Sequence, residues 1–322
     1  MSLTPNPPQG SWTVDSDSPL RIIAGWSDKD TEALQLACWI GRSVPITVQV
    51  VAPSPATWKA LGPPSGKKFR KWLQRESDEY SNRARSALKS QLGKEQWADE
   101  PARMAASSSD SSSLIEVARD FGADVVVLGS RSARPKGTFL VSTVADSLLD
   151  ANSLPLVVAP RHPKLSKKGI TRITYVYLGY DGFDYPAGLH QAARIAARLG
   201  VPIRLLAMSP DNLSGADFDA NINTPSDFAE WYEAALGHLD VARDTVFEAA
   251  SQAPGATVVE VDVAVDHGWK RAMHSVKWKK GDLACFAFRR QSQFKRVFFS
   301  GPTSEFLRHC PAPSLIFPPS TA

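Results

Sequence analysis

The stretch DVVVLGSRSARPKGTFLVSTVADSLLDANSLPLVVAP, residues 124–160, runs from an apolar segment through a polar loop into a helix-like segment and ends on a second apolar run. Strand, loop, helix and strand in that order read as the close of an α/β unit. A loop between a strand end and a helix start gathers backbone N–H groups where an anion binds. The order returns at residues 282–318, DLACFAFRRQSQFKRVFFSGPTSEFLRHCPAPSLIFP, without a gap at an offset of 158. Asp124 answers Asp282, Ser142 answers Ser300, Leu149 answers Leu307, Pro155 answers Pro313 and Pro160 answers Pro318. The chain therefore contains a duplicated unit.

Working outward, the first copy begins with strand-like RIIAGW (21–26), a helix from Asp30 to about Arg42 and strand-like PITVQVVA (45–52). Residues 67–92 place Phe69, Trp72, Leu73, Tyr80, Ala84 and Leu88 at mostly three- and four-residue spacing, which predicts one long amphipathic helix. A strand near 101–106 and a helix over 112–123 lead into the opening stretch. The second copy repeats this plan: TYVYLGYD (174–181) echoes RIIAGWSD (21–28), and VPIRLLAMSP (201–210) echoes VPITVQVVAP (44–53). A long helix over 225–251, a strand at 256–265 and a short helix at 268–278 follow. The predicted organisation is a disordered tail (1–19), a first domain (20–161), a polar linker (162–172) and a second domain (173–322). Apolar strands alternating with amphipathic helices predict two tandem doubly wound α/β domains, each a parallel five-stranded sheet with helices on both faces.

Composition excludes several functions. The net charge of +4, from 37 basic and 33 acidic residues, is too small for a dedicated nucleic-acid binder. No apolar run reaches the roughly 18 residues of a membrane span, and the N-terminus lacks the pattern of a secretory signal. The expected location is cytoplasmic. Cys38, Cys285 and Cys310 are scattered among apolar residues as core hydrophobes, and of the six dispersed histidines only His267 and His274, seven apart, could share a helix face; with no third ligand nearby, no metal site is expected. There is no Walker lysine loop, no Gly-x-Ser-x-Gly elbow and no HExxH, and the protein is expected not to be an enzyme.

The strand plan, the long second helix and the stretch from Gly129 to Thr143 resemble the universal stress protein family, in its tandem two-domain form. The resemblance covers about residues 20–318 and implies strand order 3-2-1-4-5 in each half, with a nucleotide at the crevice between strands 1 and 4. ATP-binding members of that family carry Gly-x2-Gly-x9-Gly-Ser/Thr, and here the pattern falls on Gly129, Ser132, Ser142 and Thr143. Ser27 stands where the family often has an aspartate after strand 1, with Asp28 one residue on. In the second half that aspartate is present as Asp181, but the loop positions are Ala287, Arg290, Ser300 and Gly301. An L-residue forced into the left-handed region costs about 1–2 kcal/mol, so the two serines in place of glycine imply low affinity. Ser130, Ser142 and Thr143 retain hydroxyl donors, and Arg131, Arg134 and Lys136 supply positive charge.

The resemblance thus implies ATP, with Mg²⁺, bound by the first half through Gly129, Arg131, Ser132, Ser142, Thr143 and Ser27. It assigns the second half a structural or partner-binding role, in a protein of the stress response. The alternative is a nucleotide-free scaffold whose phenylalanine-rich second loop meets a protein partner. Each nucleotide-site residue also has a plainer role: the cations solvate a loop, and Ser142 and Thr143 cap a helix. The last strand of each half, LPLVVAP and PSLIFP, is an apolar sheet edge, and the expectation is that these two edges pair within one chain as a pseudo-dimer.

Overall fold

The computed structural model of the chain describes residues 18–26, 31–53, 67–105, 110–130, 145, 148, 154–178, 186–210, 225–250, 258–266, 268–287 and 302–318. The first half contributes β1 (Leu20–Gly25), α1 (Glu32–Ile40), β2 (Ile46–Pro53), α2 (Lys67–Lys89), β3 (Trp97–Ala105), α3 (Asp110–Phe121), β4 (Val125–Leu128) and β5 (Leu156–Val158). The second contributes β6 (Arg172–Leu178), α4 (Pro186–Leu199), β7 (Ile203–Pro210), α5 (Pro225–Ala250), β8 (Val259–Asp266), α6 (Trp269–Ser275), β9 (Asp282–Ala287), α7 (Pro302–His309) and β10 (Ser314–Phe317).

Each half has the order implied by the resemblance, yet the two five-stranded sheets are not separate. They join into one ten-stranded sheet, β3-β2-β1-β4-β5-β10-β9-β6-β7-β8. Every neighbouring pair is parallel except β5 and β10, which pair antiparallel with Ser314 opposite Val158, Leu315 opposite Val157 and Ile316 opposite Leu156. Two apolar edges thereby cover each other's unpaired backbone groups.

Alternation along the strands divides the core between the two faces. Ile22 and Ala24 of β1, Val125 and Val127 of β4 and Val157 of β5 join Leu315 and Phe317 of β10 on one face. There they meet α1, α2, α4 and α5, the second helix of the first half entering through Tyr80, Ala84 and Leu88. Ile23, Val126, Leu128, Leu156 and Ile316 point the other way, toward α3, α6 and α7. Both clusters contain residues of both halves, so the molecule has one core on each face of a single sheet.

The lysine-rich segment between the halves is bonded to each of them. Arg42 Nη1 donates to the Ser166 carbonyl at 3.0 Å, and the Ile170 N–H donates to Ser43 Oγ at 2.8 Å, which tie the segment to the end of α1. The Ser166 N–H donates to the Lys280 carbonyl at 2.9 Å and the Thr171 N–H to the Gly281 carbonyl at 2.8 Å, which tie it to the turn before β9. Gly169, at φ 76°, makes the turn against Arg42 and Ser43 in the left-handed region.

Strand 1 sits differently against its two neighbours in the two halves. Ile22 pairs with Val125 and Ile173 with Leu283, and these partners lie 158 apart like the rest of the closing segments. Against strand 4 Arg21 thus answers Arg172, whereas against strand 2 the sequence echo holds, Leu20 on Ile46 answering Ile173 on Ile203.

Candidate functional site

The strand order puts the topological switch point of each half between its first and fourth strands, and in sheets of this kind a crevice is expected at their carboxyl ends. In the first half the paired strands end with Gly25 opposite Leu128, and Gly129 follows at the rim. A Cβ on Gly129 would stand 3.0 Å from Glu32 Cβ and 3.1 Å from the Ala33 nitrogen, so the absent side chain is what lets the start of α1 close on the end of β4. On the rim, Ser130 is 1% exposed, and its Oγ has no hydrogen-bond partner among the described residues. A buried hydroxyl left unpaired costs free energy, which marks Ser130 as an unmet donor and acceptor at this strand end.

Two further described residues shape the rim. Trp26 extends the β1 ladder, its N–H donating to the Val51 carbonyl at 2.9 Å, and its ring packs on Tyr80 of α2 at 5.4 Å between centroids. Glu32 opens α1 with its side chain 6% exposed. Its Oε1 accepts the His162 backbone N–H at 3.4 Å and lies 4.0 Å from His162 Nδ1, and among the described residues no lysine or arginine pairs with it. Of the residues that sequence reasoning assigned to this site, Gly129 is described and directly follows β4. Ser27, Arg131, Ser132, Ser142 and Thr143 lie outside the described residues, as do Asp28, Arg134, Lys136, Asp181, Arg290, Ser300 and Gly301.

The second crevice is built differently at the matching places. Tyr175 pairs with Cys285 in the register in which Ala24 pairs with Val127, so a tyrosine occupies the position that holds a methyl group in the first half. Tyr175 is 1% exposed and packs edge-on to Tyr177 at 5.0 Å. Burial pushes its phenol well above the ordinary range, nearby Tyr177 and Cys285 add to this, and a hydrogen bond with the Ala287 backbone partly offsets it. A Cβ on Gly188 of α4 would stand 2.8 Å from Tyr175 Oη and 2.8 Å from Ala287 Cβ. The hydroxyl and the Ala287 methyl together thus occupy the space between β6, β9 and α4. The glycine that permits close packing has moved from the loop (Gly129) to the helix (Gly188).

Sequence reasoning missed Glu32, Trp26 and Tyr175. Glu32 was readable as an anomaly: it shares the helical stripe of Leu36 and Trp39, at spacings of four and seven, where an apolar residue is expected. Tyr175 and Tyr177 alternate along a strand whose even-numbered neighbours pack on the other face, so both point into the same layer. Among the described residues there is no cluster suited to a metal ion and no helix long and apolar enough to cross a membrane.

The sequence profile described as the Universal stress protein family matches residues 21–160 and again residues 177–318. The chain belongs to the universal stress protein family. As a universal stress protein with two tandem copies, it is 23% identical over 209 residues to universal stress protein Rv2319c of Mycobacterium tuberculosis strain H37Rv, across 65% of this chain and 68% of that one. Its fold is similar to the crystal structure of a universal stress protein from Archaeoglobus fulgidus DSM 4304, with a TM-score of 0.56 at 11% identity, over 92% of this chain and 96% of that one. It is also similar to a universal stress protein crystallised in complex with cAMP, with a TM-score of 0.33 at 16% identity, over 47% of this chain and 98% of that one.

Proposed function

We propose that this universal stress protein binds one adenine nucleotide per chain, at the first crevice, and that its second half is structural or meets a protein partner. The observation that carries the reading is the asymmetry between the two strand-4 ends. Gly129 lets the start of α1 close on the end of β4 and is followed by the buried Ser130 hydroxyl, which has no hydrogen-bond partner among the described residues. At the matching end of the second half, Tyr175 and Ala287 occupy the crevice. Backbone N–H groups and hydroxyls at a strand-to-helix loop suit phosphate oxygens.

ATP with Mg²⁺ is the ligand to test first, at low affinity because Ser132 and Ser142 replace glycines. Gly129, Ser130 and the sequence-assigned Ser27, Arg131, Ser132, Ser142 and Thr143 are the groups that would hold it, and Mg²⁺ would supply countercharge to the phosphates. No hydrolysis is proposed, since the segment GWSDKD after strand 1 lacks the Ser-Gly-Gly-x-Asp-Ser loop of the related adenine-nucleotide hydrolases. The protein acts in the cytoplasm as a stress-response module, its two halves held as a pseudo-twofold pair by β5 and β10.

Titration calorimetry of ATP into the full chain, with mass analysis of small molecules released on denaturation, tests the reading. A stoichiometry of one or less supports it. Two equivalent sites would remove the asymmetry argument. If nothing is released and no adenine nucleotide binds, the scaffold reading takes its place.

A further inference from the structure

We propose that Glu32 sets the charge class of the ligand at the first crevice, so that it favours an adenine nucleoside or monophosphate over the triphosphate. This rests on the reading that the first crevice binds an adenine nucleotide, and it names which kind. The start of a helix ordinarily attracts an anion, because its first N–H groups are unpaired and its dipole is positive there. Here α1 carries its own carboxylate in the first turn, with the side chain 6% exposed. Glu32 Cβ is 3.0 Å from the place a Gly129 side chain would begin, so this residue packs directly against the glycine at the rim.

Among the described residues the carboxylate is incompletely answered. His162 Nδ1 is 4.0 Å away on a half-exposed side chain, and the His162 N–H contact at 3.4 Å is long. Among the described residues no Lys or Arg reaches it. Each further negative charge brought within a few ångströms of such a group is opposed by Coulomb repulsion that a partly buried site screens less than bulk water does. Adenosine brings no charge, a monophosphate brings about two and ATP about four. The Ser130 hydroxyl, buried and unpaired on the same rim, offers a neutral hydrogen-bonding partner that does not depend on ligand charge.

The test is equilibrium binding of adenosine, AMP and ATP to the full chain with EDTA present, in the natural protein and in Glu32→Gln. The natural protein is expected to bind adenosine and AMP more tightly than ATP. Glu32→Gln keeps the shape and removes the charge, so ATP should bind about tenfold more tightly or better, while adenosine changes by less than about threefold. Glu32→Asp keeps the charge and should keep the original order. If ATP already binds best in the natural protein, or Glu32→Gln weakens it, the inference is overturned while the nucleotide reading stands. If neither protein binds any of the three, both fall together. Should Glu32→Gln fail to fold, the ligand order in the natural protein and in Glu32→Asp still decides.

Discussion

Arg172 meets Asp282 in a two-pronged pair, its Nε donating to one carboxylate oxygen at 2.9 Å and its Nη2 to the other at 2.8 Å, across the starting ends of β6 and β9. Asp282 is fully buried, and it also faces Arg204 Nη2 at 3.7 Å, so one carboxylate serves two buried guanidinium groups. The closer pair prevails. Burial works against the charge on Arg172, but its hydrogen bond and proximity to Asp282 outweigh this, whereas burial and the neighbouring Arg172 hold Arg204 below its usual range. Glu260 and Asp262 of β8 complete the network from half-exposed positions.

Asp282→Asn should therefore destabilise the protein by about 3–5 kcal/mol, because it strands two buried cations. Glu260→Gln, at a side chain 41% exposed, should cost less than about 1 kcal/mol. Urea unfolding of both variants checks the ordering. Equal effects would mean that the network is a surface feature with no buried keystone.

Alkaline pH should destabilise the fold through its buried thiols. Burial raises Cys310 from 9.0 to about 12 and pushes Cys285 higher still. In the unfolded chain both ionise near their ordinary values, while in the folded chain they stay protonated. The stability they contribute is thus full below pH 9.0 and is lost as pH rises from there toward about 12. Each thiol gives a slope of about 1.4 kcal/mol per pH unit inside its window. Cys310→Ala should flatten part of that slope, as measured by unfolding midpoints between pH 8 and 10.5. An unchanged slope would show that Cys310 ionises freely when folded.

Much of this architecture could be read from the chain before any coordinates. Gapless correspondence of residues 124–160 with 282–318, and the apolar alternation around them, revealed the repeat and the succession of strands and helices because these signals are local and periodic, whereas the strand order was implied by the family resemblance. Register at strand 1 was less legible for a physical reason: both strand-1 segments are apolar enough that sliding by two keeps every side chain on the same face. The ladders show the slide directly: Ile173 answers Leu20 against strand 2 and Ile22 against strand 4. Gly129 was legible because glycine at a strand end has a backbone meaning. Glu32 and Tyr175 were not, since their importance comes from what α1 and α4 bring against the strand ends, a tertiary fact.

Unfolding should be a single cooperative event for the whole chain. Leu315 and Val157 face each other across the junction, both fully buried, and each core cluster draws on both halves. Leu315→Ala should lower stability by about 2–5 kcal/mol and shift the transitions of both halves together. Trp39 and Trp278 lie in different halves, so fluorescence of single-tryptophan variants can follow each separately. Two midpoints that move independently would show that the halves fold as separate bodies.

Paired substitutions of the two close-packed glycines should separate binding from stability. Gly129→Ala sets a methyl 3.0 Å from Glu32 Cβ and 3.1 Å from the Ala33 nitrogen, and the second of these is backbone that cannot swing away. The start of α1 must shift, which costs about 1–3 kcal/mol and moves the rim on which a nucleotide would rest. Gly188→Ala sets a methyl 2.8 Å from both Tyr175 Oη and Ala287 Cβ, a similar overpacking in the crevice that already holds a tyrosine. Its cost should be of the same order, about 1–3 kcal/mol. Nucleotide affinity should nevertheless fall at least about tenfold in Gly129→Ala and change by less than about twofold in Gly188→Ala. Thermal unfolding and calorimetry on the two variants give both numbers. Loss of binding in Gly188→Ala with retention in Gly129→Ala would move the site to the second half, and equal loss in both would mean that binding follows overall stability and not the geometry at Gly129.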